Sequence, residues 1–252
     1  MEPRDQILDV WGDLACFTRP EFKVERFSYP IITPSAARGI YDAIYCKPNK
    51  NRNKAEFSWR ITKIEILSVP KYISLRRNEV KEKVPSEFTI SKWMDGTRAP
   101  EPIWADGMSN ETGTDQKGRT QRQTMALKNV HYRLHAFINP WGNFNNHLSA
   151  MEAQFRRRAS QGKCFYQPFF GCREFPAYFE LVELETPVTS PIHFNMDIGW
   201  MVYDVFDLSK PGNNESHPSI SLFHATVIDG ILVIPDYRNK NEVKYGINGV
   251  QC

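Results

Sequence analysis

"ALKNVHYRLHAFINPWGNFNNHLSAMEAQFRRRAS" (126–160) sets a strand directly ahead of a helix. Val130, Tyr132, Leu134, Ala136 and Ile138 alternate with His131, Arg133, His135 and Phe137, the period of two that marks a pleated strand. One face is apolar, and the other is expected to be wet and basic. Leu148, Met151, Phe155 and Ala159 then recur at i, i+3, i+7 and i+11, a single core-facing helical stripe. Asn145 or Asn146 is the expected cap, with His147 in the first turn, where the positive end of the helix dipole disfavours imidazolium. A neutral histidine there can accept a proton. Arg156, Arg157 and Arg158 cover about 200° of the helical wheel and suit the negative end of the same dipole.

Upstream, "ILDVWGDLACF" (7–17) alternates and reads as a strand. In "ITPSAARGIYDAIYCKP" (32–48), Thr33 caps, Pro34 takes the first helical position, and Ala37, Ile40, Tyr41 and Ile44 form the buried stripe. "EFSWRITKIEILSV" (56–69) is a β-branched and aromatic strand. Periodicity fails over about 78–126, which predicts a long, partly mobile inserted hairpin or loop. Downstream, "FYQPFFGCREFPAYFELVEL" (165–184) supplies a further strand after a turn. The order β-α-β-(insert)-β-α-β predicts an α+β, ferredoxin-like domain over 1–186, the arrangement shared by RNA-recognition domains. Residues 187–252 read as short strands only, a small antiparallel C-terminal sheet, with a hairpin turn at Asp229–Gly230.

At 252 residues with 41% hydrophobic content, the chain can bury a substantial core and is not disordered. A net charge of +3 leaves any polyanion site to local clusters. Five cysteines without a C-x-x-C pair or a cysteine–histidine cluster argue against zinc and fit free thiols in the cytoplasm. The amino-terminal stretch has charges where a signal core would lie, and no apolar run approaches the ~18 residues of a membrane span. No metal, cofactor or membrane is expected.

The cations cluster at element ends. "KPNKNRNK" holds Lys47, Lys50, Arg52 and Lys54, and further groups lie at 60–63, 75–83 and 117–122, beside Lys128 and Arg133. Aromatic platforms accompany them, among them Trp59, Tyr72, Tyr132, Phe169 and Phe170. Cations interleaved with stacking surfaces suit single-stranded or structured RNA.

Taken together, "VWGDLACFTRP", "SAARGIYDAIYCKP", "LKNVHYRLHAFI" and "FFGCREFPAYFELVE", in this order and spacing, resemble the CRISPR-associated Cas family five, subtype d, of type I-C systems, within the RAMP superfamily. The resemblance covers most of residues 7–185 and, more loosely, the strand-rich remainder. It implies a ferredoxin-like domain with an inserted hairpin, and cleavage of CRISPR precursor RNA at the repeat hairpin without a metal. It also implies that the crRNA 5′ handle is retained in a complex with the type I-C backbone and large subunits; DNA is a further candidate partner.

In that family a tyrosine ending helix one and a lysine–histidine pair starting helix two are implicated in cleavage. They map onto Tyr45, Asn146 and His147, with asparagine in place of the lysine. Either Lys47 or Arg156 supplies the missing cation, or cleavage is slower. His147 is the expected general acid–base group and Tyr45 a hydrogen-bond donor. Lys47, Lys50, Arg52, Lys54, Arg133, Arg156, Arg157, Arg158 and Arg173 are the expected RNA contacts. The rival reading is a subunit that grips the handle without cutting.

Overall fold

The fold is organised by one long strand, β5 (Arg119–Pro140), whose alternate apolar residues Tyr132, Leu134, Ala136 and Ile138 are all buried. A computed structural model describes residues 2–22, 24–48, 55–101, 103, 105, 117–183, 189–211 and 217–246. β5 pairs antiparallel with β1 (Gln6–Ala15), Val10 facing Tyr132, and with β3 (Phe57–Ile66), Ile64 facing Leu134. β6 (Tyr178–Leu181) adds to the far side of β1, and the two-residue β2 (Arg26–Phe27) also pairs with β5. The order β3-β5-β1-β6 follows.

Two helices lie against the apolar side. α1 (Pro34–Ile44) begins as expected: the Thr33 hydroxyl accepts from the Ala36 amide at 3.2 Å, and Ala37, Ile40, Tyr41 and Ile44 are buried. α3 (Leu148–Ala159) buries Leu148, Met151, Phe155 and Ala159, the predicted stripe. Trp59 of β3 fits between the helices, with ring centroids 4.8 Å from Tyr41 and 4.6 Å from Phe155. The Tyr41 hydroxyl lies 2.8 Å from the carbonyl oxygens of both Gln6 and Leu134, which bonds α1 to two strands at once.

The C-terminal strands are antiparallel: β7 (Met196–Asp204), β8 (Ser221–Ile228), β9 (Ile231–Val233) and β10 (Val243–Lys244). The β8–β9 turn has positive φ at both Asp229 (48°) and Gly230 (75°), as an Asp-Gly hairpin requires. A β-carbon at Gly230 would fall 2.2 Å from the Ile192 carbonyl oxygen, so only glycine fits. β9 pairs with β3, Leu232 facing Ile64, so these strands continue the main sheet.

Residues 74–124 form a second compact unit. Within it the start of β5 pairs with β4 (Lys71–Val80), and α2 (Glu87–Met94) is capped by the Ser86 hydroxyl, which accepts from the Thr89 amide at 3.3 Å. The expected loop-like stretch from 78 onward therefore contains regular elements, while 106–116 lie outside the described residues. The pattern hid them because β4 has no buried residue and α2 buries none, which leaves no apolar period to detect.

Phe155 is wholly buried at the junction of both helices and β3. Phe155→Ala should cost about 3–5 kcal/mol, measured as a lowered urea midpoint with an unchanged slope.

Candidate active site and nucleic-acid interface

Tyr45 follows the last turn of α1 in extended backbone (φ −150°, ψ 113°), and its amide donates to the Tyr41 carbonyl at 2.8 Å. Its own carbonyl accepts from the Trp59 indole at 2.9 Å, and its ring packs 5.3 Å from Phe57. Only 7% of the residue is exposed. Burial pushes the Tyr45 phenol above its usual pKa, Glu56 and Cys46 reinforce the shift, and Arg158 opposes it. The hydroxyl is therefore protonated near neutral pH and can donate a hydrogen bond, but it is no base.

The other expected residues surround α3. Asn145 and Asn146 do not cap it; Gly142–His147 forms a 3₁₀ turn, and His147 occupies the cap position without a side-chain cap bond. Backbone bonding within the tighter turn replaces the asparagine cap. His147 is exposed, with its ring 6.1 Å from that of Phe144. Arg158 approaches Tyr45 from the other end of α3: its Nε donates to the Ile44 carbonyl at 2.7 Å, and its guanidinium lies 4.1 Å over Phe165. Eleven residues separate Arg158 from His147, about 16 Å of helical rise. Among the described residues no hydrogen bond or ring contact joins Tyr45 to His147.

The two candidate replacement cations differ in position. Arg156 pairs with Glu183 at 2.5 Å, ten residues along the chain from Asn146. Lys47 pairs with Glu56 at 2.8 Å, and the Glu56 carbonyl accepts from Trp141, the residue that opens the 3₁₀ turn. Lys47 is thus tied to the turn that ends at His147. Arg157 is exposed and bonds Gln154 at 3.0 Å; Arg173 is exposed. Lys50, Arg52 and Lys54 lie outside the described residues.

Arg133 departs from the expectation of a wet, basic face. It is 4% exposed and bonds both Asp9 oxygens at 2.7 and 3.0 Å, Glu65 at 3.3 Å and the Thr189 carbonyl at 2.9 Å. His135, also buried, lies between Asp5 at 2.8 Å and Glu65 at 3.1 Å. The carboxylates come from neighbouring strands, with Asp9 directly opposite Arg133 in register. An acidic residue within each apolar stretch, "ILDV" and "KIEIL", was the available signal. Against the upward push of burial, Lys63 chiefly, with His135 and Arg133, holds Glu65 below the ordinary carboxyl value.

With this geometry in view, the comparisons decide the family. A family profile described as CRISPR-associated protein Cas5, subtype Cas5d, matches residues 7–234. The chain belongs to the Cas5d family. A family member from Mannheimia succiniciproducens, named CRISPR pre-crRNA endoribonuclease Cas5d, is 37% identical over 91% of this chain and 94% of its own. A Thermus thermophilus relative of the same name is 32% identical over 90% and 89%. A crystal structure described as a CRISPR-associated protein shares the fold, with a TM-score of 0.59 and 19% identity over 97% of this chain and 98% of that one.

Arg133→Ala strands two carboxylates and should cost about 3–5 kcal/mol in chemical denaturation. A carboxyl whose pKa is lowered by folding stabilises above its unfolded pKa and loses that contribution as pH falls. Glu65 should therefore add acid lability below about pH 4.5, visible as a falling urea midpoint that Glu65→Gln flattens.

Proposed function

We propose that this chain is a metal-independent endoribonuclease that cuts CRISPR precursor RNA at the repeat hairpin and keeps the 5′ handle as a subunit of the type I-C interference complex. The observation that carries this reading is the match, over about nine-tenths of both chains, to relatives named pre-crRNA endoribonucleases. The antiparallel order β3-β5-β1-β6 under two helices supports a ferredoxin-like domain over 1–186, with 187–252 as its C-terminal β extension. The backbone and large subunits are its proposed partners and the cytoplasm its place.

Without a metal, the nucleophile is the RNA's own 2′-hydroxyl. Its oxygen bonds to the adjacent phosphorus, the bond to the departing 5′-oxygen breaks, and that oxygen gains a proton. The products are a 2′,3′-cyclic phosphate and a 5′-hydroxyl. His147, exposed at the head of α3, is the proposed acid–base group, and Tyr45 donates a hydrogen bond from its protonated hydroxyl. Lys47, tethered through Glu56 to the turn that carries His147, is the better placed substitute for the lysine absent at position 146. Arg156, Arg157 and Arg173 supply phosphate contacts; Lys50, Arg52 and Lys54, which lie outside the described residues, are RNA contacts proposed from the sequence. Arg158 acts mainly by fixing the end of α1.

A second reading, a handle-gripping subunit that does not cut, is favoured by one observation: Arg158, eleven positions along α3 from His147, bonds the Ile44 carbonyl beside Tyr45, while among the described residues no hydrogen bond or ring contact joins Tyr45 to His147. Single-turnover assays on the repeat RNA in chelator separate the two. His147→Ala should lower the cleavage rate about 10²-fold or more with affinity nearly unchanged. Cleavage that stops in chelator and returns with magnesium contradicts the acid–base account, and tight binding without any cutting supports the second reading. In a binding assay across salt concentrations, replacing Arg156 and Arg157 with alanine should flatten the slope of log affinity against log salt, since fewer counterions are released.

A further inference from the structure

Arg60 is an exception among the arginines of the core. Arg38 pairs with Asp42 and Asp204, and Arg133 with Asp9 and Glu65. Arg60, on β3, forms no salt bridge among the described residues; Asp236 acts on it only at longer range. Its Nη2 donates to the Leu208 carbonyl, its guanidinium carbon stands 5.5 Å from the Tyr237 ring centroid, and its Nη1 is buried without a hydrogen-bond partner. A buried donor left unmade costs about 1–3 kcal/mol, and a buried cation without a counter-charge costs more. Burial lowers the pKa of Arg60 and Arg238 adds to the shift, while Tyr203, Asp236 and Tyr237 oppose it.

These two arginines line one cavity of about 400 Å³. Phe137 and Asn139 of β5 form another side of it, and Tyr237 lies under the Arg60 guanidinium. Asp236 is the one carboxylate in the lining; it is exposed, and one of its oxygens accepts from the Arg238 backbone amide at 2.8 Å. The lining therefore carries two cations against one carboxylate. Its volume falls within the ~300–1,000 Å³ usual for small-molecule sites. A guanidinium without a salt bridge among the described residues, a second guanidinium, an amide and the aromatic rings of Phe137, Tyr203 and Tyr237 are together the chemistry that recognises a nucleotide.

We propose that this cavity is a nucleotide subsite, in which Arg60, backed by Tyr237, and Arg238 hold a phosphate and Phe137 lies against the base of one unpaired nucleotide of the bound RNA. The source of that nucleotide rests on the RNA-processing reading; the phosphate chemistry of the cavity does not. The subsite is distinct from Tyr45 and His147, neither of which lines it. It holds the strand and takes no part in bond breaking.

The test uses the full chain, adenosine monophosphate and repeat RNA. Millimolar adenosine monophosphate should raise the melting temperature of the unmodified chain, and Arg238→Ala and Arg60→Gln should abolish that rise. Each variant should also weaken RNA binding about 3- to 10-fold and reduce the salt slope by about one. Arg238 is exposed, so Arg238→Ala carries the test if Arg60→Gln fails to fold. Equal weakening for 5′-hydroxyl and 5′-phosphate RNA assigns the site to an internal phosphodiester; weakening confined to 5′-phosphate RNA assigns it to the terminus. Should the nucleotide leave the melting temperature unmoved while RNA affinity is the same in the unmodified chain and in Arg238→Ala, the subsite is refuted and a carboxylate of a protein partner becomes its occupant. Failure of the unmodified chain to bind any RNA would instead refute the RNA-processing reading, and the response to adenosine monophosphate would still decide the phosphate site.

Discussion

Trp59 is the constraint through which the helices, the sheet and the candidate site are coupled. Its fully buried ring contacts Tyr41 of α1 and Phe155 of α3, and its indole nitrogen holds the Tyr45 carbonyl. Aromatic rings in such edge and tilted contacts gain about 0.5–1.5 kcal/mol each beyond the area they bury. The geometric effect matters as much. A residue just past a helix end has few restraints of its own, and Tyr45 gains its restraints from a β-strand side chain fourteen positions away. The indole bond fixes the backbone, and the phenol packs against Phe57, where burial raises its pKa.

The opposite face of β5 shows how the same residue type serves two ends. Arg133 is buried with its carboxylates in place, so its charge is consumed within the fold. Such a pair adds little net stability over an apolar alternative, yet is costly to break, and it fixes the register of β1, β5 and β3. Arg60 is also partly withdrawn from water, but among the described residues it forms no salt bridge, and one of its donors is left unbonded. Charge pairing within the fold, more than position on the sheet, separates arginines that hold the protein together from those left to meet an outside anion.

Much of this was legible in the chain. The stripe Leu148, Met151, Phe155 and Ala159, the Thr33–Pro34 start of α1 and the Asp229–Gly230 hairpin are local features, and local geometry realised them. Arg133 and His135 were misplaced because their burial is set by Asp9, Asp5 and Glu65, residues that alternation along a single strand cannot bring into view. The asparagine cap failed for a subtler reason: a 3₁₀ turn can satisfy the same amides from the backbone, and residue preference does not distinguish the two. Within 74–124 the elements bury almost nothing, and periodicity reports burial rather than structure. For the candidate site, the chain supplied the residue types, while the Arg158–Ile44 bond that sets the end of α3 beside Tyr45 is a matter of packing alone.

The register of β1 against β5 carries a consequence for how the protein comes into being. Gln6 faces Ala136, so the central ladder of the sheet joins segments 130 positions apart. On a ribosome adding about 5–20 residues per second, β1 waits on the order of ten seconds for its partner to emerge. During that interval its apolar residues Leu8 and Val10 are without the strand that will cover their edge. Folding of the core is thus delayed until most of the chain has been made, and a nascent chain interrupted before residue 126 would offer chaperones and proteases a strand with no sheet to join.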